Sequence, residues 1–359
     1  MPRLHLALLV LRGVCGGHFQ SDRPVRHQIT ELSHLQGDIP TGAETRGLAA
    51  AQICGTRPEV SALSVPDEVM SETGFRIDPL TGAHVVVTPW RQHRPVHPDG
   101  MCPFCPGGLE APGAYDVLHI PNRWPSLANG RHEVILHGPD HDSSFPRLGE
   151  DRSARVVELW SARTSVLGSR EDVSYVFIFE NRGRVIGTTI DHPHSQIMAF
   201  SEIPPIPKSE LSKSNCGLCK DIDGELIVTR QPGWQVSVPW APSWPYEMLI
   251  SPCAHVADLP TAGQSLRTGL GVILVDSLTR LERLFGRGAP YMLWIHQRPA
   301  DGGDWPAAHL HVHLAPVLRA PGLRRHLAAA ELGAGVFFDP VDPREAAAQL
   351  RSSPGTAQP

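Results

Sequence analysis

The 359-residue chain has no apolar run approaching the roughly 20 residues that span a bilayer, so no membrane partner is expected. It also lacks an excess of positive charge: 32 Lys and Arg stand against 37 Asp and Glu, a formal net charge of −5. That balance excludes general electrostatic binding to nucleic acid or to anionic lipid, and any phosphate site must be built locally. The early apolar stretch Leu4 to Leu11 is broken by Arg12 and has no A-x-A-like cleavage site after it, so it does not read as a secretory leader. Aromatic side chains are scarce as well. Ten Phe and four Tyr are together outnumbered by 19 His, which turns attention to metal and phosphate chemistry.

Cysteine is not abundant, but four of the seven form two C-x-x-C pairs, Cys102/Cys105 and Cys216/Cys219. An odd count with tight pairs in a chain this long argues for metal in a reducing, cytoplasmic compartment and against a disulfide framework. The spacing then repeats. His141 lies 36 positions beyond Cys105, and His255 lies 36 beyond Cys219. Each half ends in an H-x-H segment, His192-Pro193-His194 in the first and His309-Leu310-His311-Val312-His313 in the second. Zinc takes four thiolate and imidazole ligands in a tetrahedron. The ligand sets are therefore read as Cys102, Cys105, His141 and His192 for site one, and Cys216, Cys219, His255 and His309 for site two. Four protein ligands leave no open position, so the expected role is structural. A zinc ribbon is excluded because its second pair follows within about 15–20 residues, far closer than Cys216 follows Cys105.

Residues 1 to 70 show no helical or strand periodicity and read as a disordered extension. Beyond them, a strand–turn–strand is predicted over Phe75 to Val87, and strands over Glu133 to His137, Val173 to Phe179 and His192 to Phe200. Helical spacing marks Ser153 to Gly168. The second half repeats the plan: strands over Leu226 to Thr229, Trp234 to Pro239 and Tyr246 to Ile250, a helix over Gln264 to Phe285, strands over Tyr291 to His296 and His309 to Pro316, and a last helix over Pro343 to Leu350. Strands grouped around one helix per half give an α+β class with antiparallel pairing. The halves are placed at 71–207 and 208–352.

Alternation on a strand puts His192, His194 and Gln196 on one face. If a metal holds His192, then His194 is presented at a fixed position, and a neutral imidazole is a competent nucleophile toward phosphorus. Gln196 can donate its amide N–H to an anionic oxygen. Upstream, Gly183, Gly187, Thr188 and Thr189 form a loop whose N–H groups and hydroxyls suit a phosphate. A buried, hydrogen-bonded histidine of purely structural use is the competing reading of His194.

The run Phe179-Glu180-Asn181-Arg182-Gly183, then Gly187, then His192-Pro193-His194-Ser195-Gln196 resembles the signature of galactose-1-phosphate uridylyltransferases, in the histidine-triad superfamily. The similarity extends from about Phe75 to Leu350. It implies two histidine-triad-like halves, each an antiparallel sheet with packed helices. It also implies a ping-pong reaction in which His194 takes UMP from UDP-glucose and passes it to galactose 1-phosphate, with Gln196 holding the phosphoryl oxygens. By the same resemblance, Arg91, Arg94, Asn122, Asn181, Gly187, Thr188 and Thr189 would bind substrate. Arg325 and Glu331 would reach the active site of the neighbouring subunit in a homodimer. Some relatives hold the second metal, often iron, with a glutamate and three histidines, for which Glu210, His296, His311 and His313 are the matching residues. Two other activities fit the motifs: a phosphorylase acting on ADP-glucose, and a triad hydrolase using His311.

Overall fold

The computed structural model describes residues 75–95, 100–353 and 355; the disordered extension expected over residues 1–70 lies outside them. In chain order the strands are β1 (Phe75–Ile77), β2 (His84–Val86), β3 (Leu118–Pro121), β4 (His132–Leu136), β5 (Tyr175–Arg182), β6 (His194–Phe200), β7 (Ile227–Gln231), β8 (Trp234–Ser237), β9 (Met248–Pro252), β10 (Tyr291–His296), β11 (His311–Pro316), β12 (Leu318–Ala320) and β13 (Leu323–Arg324). The helices are α1 (Gly149–Gly168), α2 (Pro205–Leu211), α3 (Gln264–Phe285), α4 (Ala329–Ala334) and α5 (Pro343–Ser352). Asp342 caps α5 by accepting from the Arg344 and Glu345 N–H groups, with Pro343 at the first helical position.

The α+β class holds, and the two halves do more than sit side by side. Nine strands form one antiparallel sheet in the order β3-β4-β6-β5-β10-β11-β9-β8-β7. The seam is the β5–β10 pair, with Ile178 opposite Ile295 and Phe179 opposite Trp294. Each half therefore contributes its inner strand to the same ladder.

Period-two burial sets the two faces of this sheet. In β6, Ser195, Ile197 and Ala199 are buried, whereas His194, Gln196, Met198 and Phe200 are half-buried. Ile197 and Ala199 join Ile178, Val236, Ile250, Leu293 and Val312 in one core with Val156, Val157 and Trp160 of α1 and Leu270, Ile273 and Leu274 of α3. The two helices cross at Gly271, where a Cβ would stand 2.8 Å from the backbone of Ser153 and Ala154; only glycine permits that approach. Trp160 Nε1 donates to Ser195 Oγ at 2.8 Å, which ties α1 to β6 at the residue between His194 and Gln196.

The strands carrying the two H-x-H segments begin two residues later than the sequence predicts. β6 starts at His194 and β11 at His311, so His192 and His309 precede their strands. Each strand's first residue bonds back to that histidine: His194 Nδ1 donates to the His192 carbonyl at 2.7 Å, and His311 Nδ1 donates to the His309 carbonyl at 2.7 Å.

Candidate active site and metal centres

The first cysteine pair sits in a tight turn whose Cys105 N–H donates to the Cys102 carbonyl. Cys105 Sγ lies 3.6 Å from His141 Nδ1 and 3.6 Å from His192 Nδ1. All four ligand atoms of Cys102, Cys105, His141 and His192 fall within 4.8 Å of one another. Zinc–sulfur bonds of about 2.3 Å and zinc–nitrogen bonds of about 2.0–2.1 Å give tetrahedral S···N edges of about 3.5 Å, so the set fits a zinc ion. The tautomer agrees. His192 Nε2–H donates to the Gly138 carbonyl at 2.8 Å, leaving the Nδ1 lone pair for the ion. Burial and the neighbouring Cys102 sulfur push the Cys105 thiol up to about 11; a cation between the sulfurs reverses that by favouring thiolate.

The second half repeats this corner. Cys216 Sγ is 3.1 Å and Cys219 Sγ 3.5 Å from His309 Nδ1, and Cys219 Sγ is 3.2 Å from His255 Nδ1. His309 Nε2 faces the Pro252 carbonyl at 3.2 Å, the counterpart of Gly138. The structure also gathers Glu210, His296, His311 and His313 within 4.8 Å. Glu210 approaches His296 Nδ1 at 2.9 Å and His311 Nε2 at 3.5 Å. The sequence poses these two sets as alternatives for one ion, yet they share no residue and stand as separate clusters. Both open on a cavity of about 270 Å³ that also admits Lys213 and Gln297.

His194 faces a different cavity, of about 220 Å³, lined among others by Arg94, Phe104, Glu110, Asn122, Thr189 and Gln196. Because a carbonyl only accepts, the bond from Nδ1 to the His192 carbonyl fixes the proton on Nδ1 and leaves the Nε2 lone pair free. Burial pushes the His194 imidazole down to about 4, with His192, Arg94 and Arg182 adding to the fall and the carbonyl bond opposing it. The ring is therefore neutral near pH 7. Phe104 packs edge-on against it at 5.2 Å between centroids.

The other residues singled out from the sequence are placed unequally. Arg94 donates to Thr189 Oγ1 at the cavity wall. Thr188 Oγ1 donates to the Asn181 carbonyl at 3.0 Å, and Gly187 takes a left-handed φ of 82°; together they shape the loop behind Thr189. Arg91 is turned away, its guanidinium donating to the Trp124 carbonyl and Ser126 Oγ. It braces a loop and does not line the cavity. Arg325 and Glu331 form a buried ion pair at 2.8 Å and line neither cavity.

Sequence reading missed Glu110 and His132. Glu110 enters the cavity between Arg94 and Arg123, its carboxyl raised by burial against their opposing pull. His132 lies under Gln196, with Nε2 2.9 Å from Gln196 Oε1. Its one visible signal is a polar residue opening the apolar strand Val134-Ile135-Leu136.

Comparison with known proteins bears on what such a pair of cavities does. The family model for galactose-1-phosphate uridyl transferase, N-terminal domain, matches residues 124–204, and the C-terminal domain model matches residues 208–350. A galactose-1-phosphate uridylyltransferase of Thermotoga maritima is 32% identical over 311 residues, covering 78% of this chain and 98% of that protein. One from Streptomyces lividans is 33% identical, covering 79% and 88%. A solved uridylyltransferase structure superposes with a TM-score of 0.72 at 29% identity, covering 78% of this chain and 98% of its own. The ADP-glucose phosphorylase of Arabidopsis thaliana, at 22% identity and a TM-score of 0.63 over 77% of this chain and 98% of its own, shares the fold.

Proposed function

We propose, for a chain that belongs to the galactose-1-phosphate uridylyltransferase family, that UMP transfer from UDP-glucose to galactose 1-phosphate runs through a covalent bond to His194. The observation that carries this reading is the hydrogen bond from His194 Nδ1 to the His192 carbonyl, which leaves Nε2 bare beside Gln196, Arg94 and Thr189 in one cavity. The Nε2 lone pair attacks the α-phosphorus, and a P–N bond forms as the bond from that phosphorus to the bridging oxygen breaks. Glucose 1-phosphate leaves with the electron pair. Galactose 1-phosphate then attacks the same phosphorus through a phosphate oxygen, and the imidazole departs with its lone pair restored. Gln196 and Arg94 stabilise the charge gathered on the phosphoryl oxygens.

A zinc ion held by Cys102, Cys105, His141 and His192 would supply rigidity and no open coordination position. In the second half, the chemistry of the donor sets supports zinc at Cys216, Cys219, His255 and His309, and zinc or iron at Glu210, His296, His311 and His313. With Glu210 at its Nε2, His311 is poorly placed as the nucleophile of a hydrolase. A homodimer is supported by the exposed apolar side chains Leu332, Val336, Phe337 and Phe338 near the Arg325–Glu331 pair. No helix among the described residues is long and apolar enough to cross a membrane, and the paired thiols favour the cytoplasm.

Intact mass after incubation with UDP-glucose tests the reaction. The chain should gain one uridylyl group, lose it on addition of galactose 1-phosphate, and gain none in His194→Ala. Labelling that survives in His194→Ala, or that occurs from ADP-glucose in preference to UDP-glucose, overturns the reading.

A further inference from the structure

A glutamine amide has two ends, and only one of them suits a phosphate. The side chain of Gln196 can stabilise an anionic oxygen only if its –NH₂ faces the cavity. The surrounding hydrogen bonds decide which end does so, and they can be followed from backbone groups whose donor or acceptor role is fixed. The Ser126 backbone N–H donates to His132 Nδ1 at 2.9 Å, so Nδ1 carries the lone pair and Nε2 carries the proton. That Nε2–H points at Gln196 Oε1 from 2.9 Å. In parallel, the Trp124 N–H donates to Asn122 Oδ1 at 2.8 Å, which turns the Asn122 amide so that its Nδ2, 3.1 Å from His132 Nε2, donates to the same Gln196 Oε1 at 3.3 Å. Two donors thus converge on Oε1, and the –NH₂ of Gln196 is the end left for the cavity it shares with His194.

We propose that His132 is a positioning residue for the transfer reaction: it locks the Gln196 amide with its –NH₂ toward the transferred phosphoryl group. His132 does not line the cavity and acts entirely through Gln196. Burial supports the assignment by holding its imidazole down to about 3, so the ring is neutral and keeps the single tautomer the chain of bonds requires. Arg91 completes the device from behind. Its guanidinium grips the Trp124 carbonyl and Ser126 Oγ, and the Trp90 indole N–H donates to the Pro125 carbonyl at 2.8 Å. The loop that supplies both fixed N–H donors is thereby held still. Arg91, which the sequence offers as a phosphate ligand, acts on the phosphate only through that loop, His132 and Gln196.

This inference rests on the uridylyl-transfer reading, and two measurements separate its failure from that reading's failure. The first needs no activity. ¹⁵N-histidine NMR of the whole protein at neutral pH should give His132 a protonated Nε2 and an unprotonated Nδ1; the opposite tautomer or a charged ring overturns the proposal whatever the enzyme transfers. The second is the rate of uridylyl-enzyme formation from UDP-glucose. His132→Phe keeps the ring and removes the donor, and should slow formation by about 10–100-fold with little change in half-saturating UDP-glucose. His132→Gln, whose Nε2 reaches the same place and still donates, should recover much of the rate. In a Gln196→Ala background, His132→Phe should add little further loss. Formation at the wild-type rate in His132→Phe, or an equal loss in both backgrounds, overturns the proposal.

Discussion

The two halves of the sheet use one plan and arrive at different chemistry. In each, a C-x-x-C turn meets a histidine 36 positions on, and a second imidazole offers Nδ1 to the sulfurs while a backbone carbonyl faces its Nε2: Gly138 in the first half, Pro252 in the second. In each, the residue two further on donates Nδ1–H back to that histidine's carbonyl. They diverge at the ring's far side. The Nε2 of His194 faces a cavity with Gln196 and Arg94, whereas that of His311 faces the carboxylate of Glu210. Where the first half has Gln196 at the second following strand position, the second has His313, whose Nδ1 donates to Glu247 at 2.9 Å. An identical backbone device thus presents a lone pair either to a cavity or to a cluster of side chains that could hold a metal ion. The neighbours, and not the H-x-H motif, decide the use.

The sharpest way to break this comparison is to remove each presented imidazole in turn. His194→Ala should abolish uridylyl labelling, a loss of at least about 10⁴-fold. His311→Ala should keep labelling and lose metal at the Glu210 cluster, read by elemental analysis. Equal loss in both would make the halves functionally alike. A smaller contrast is expected at the thiols. Cys105→Ser frees His192 and lets the start of β6, which bears His194, shift, which should slow labelling by about 100-fold; Cys219→Ser should cost metal and melting temperature with labelling nearly intact.

The smallest effect concerns the seam that the halves share. Glu180 of β5 is fully buried beside Tyr291 of β10, whose hydroxyl donates to Oε1 at 2.8 Å. Burial raises its carboxyl from 4.5 to about 7, against the pull of the Tyr291 bond and Arg182. A raised acid binds its proton more tightly when folded, so its contribution to stability is complete below about pH 4.5 and is lost as pH rises through about 7. The shift corresponds to a penalty on the order of 3 kcal/mol above pH 7. Denaturant unfolding of Glu180→Gln against wild type at pH 5 and pH 8 should show the variant gaining relative stability at the higher pH.

Much of the fold was legible because its signals are local. Gln264 to Phe285 shows helical periodicity and is a helix over those residues; Tyr291 to His296 is likewise a strand as read. The ligand sets were legible because C-x-x-C and H-x-H constrain chemistry at short range, and their repetition at a common spacing singles them out. What sequence did not yield depends on register between distant segments. His132 meets Gln196 across 64 positions because Val134 pairs with Gln196 in β4–β6, and its tautomer depends on a backbone N–H at Ser126 that no side-chain pattern encodes. Two sets taken as rivals for one ion proved to be separate, since spacing says which residues can share a cluster and not how many clusters a sheet can host. Alternation likewise marks the faces of a strand and not the residue where its pairing begins, so it places the start of β6 two residues early.

The continuous ladder across β5 and β10 has one more consequence. Severed in the segment before α2, neither fragment would be a finished product: each would carry a raw edge of unbonded amides and carbonyls, with Glu180 stripped of its Tyr291 partner on one side. Such pieces should be poorly behaved in isolation and should recover when co-expressed, knitting together along that edge. The chain is then better regarded as an obligate intramolecular couple than as two beads on a string.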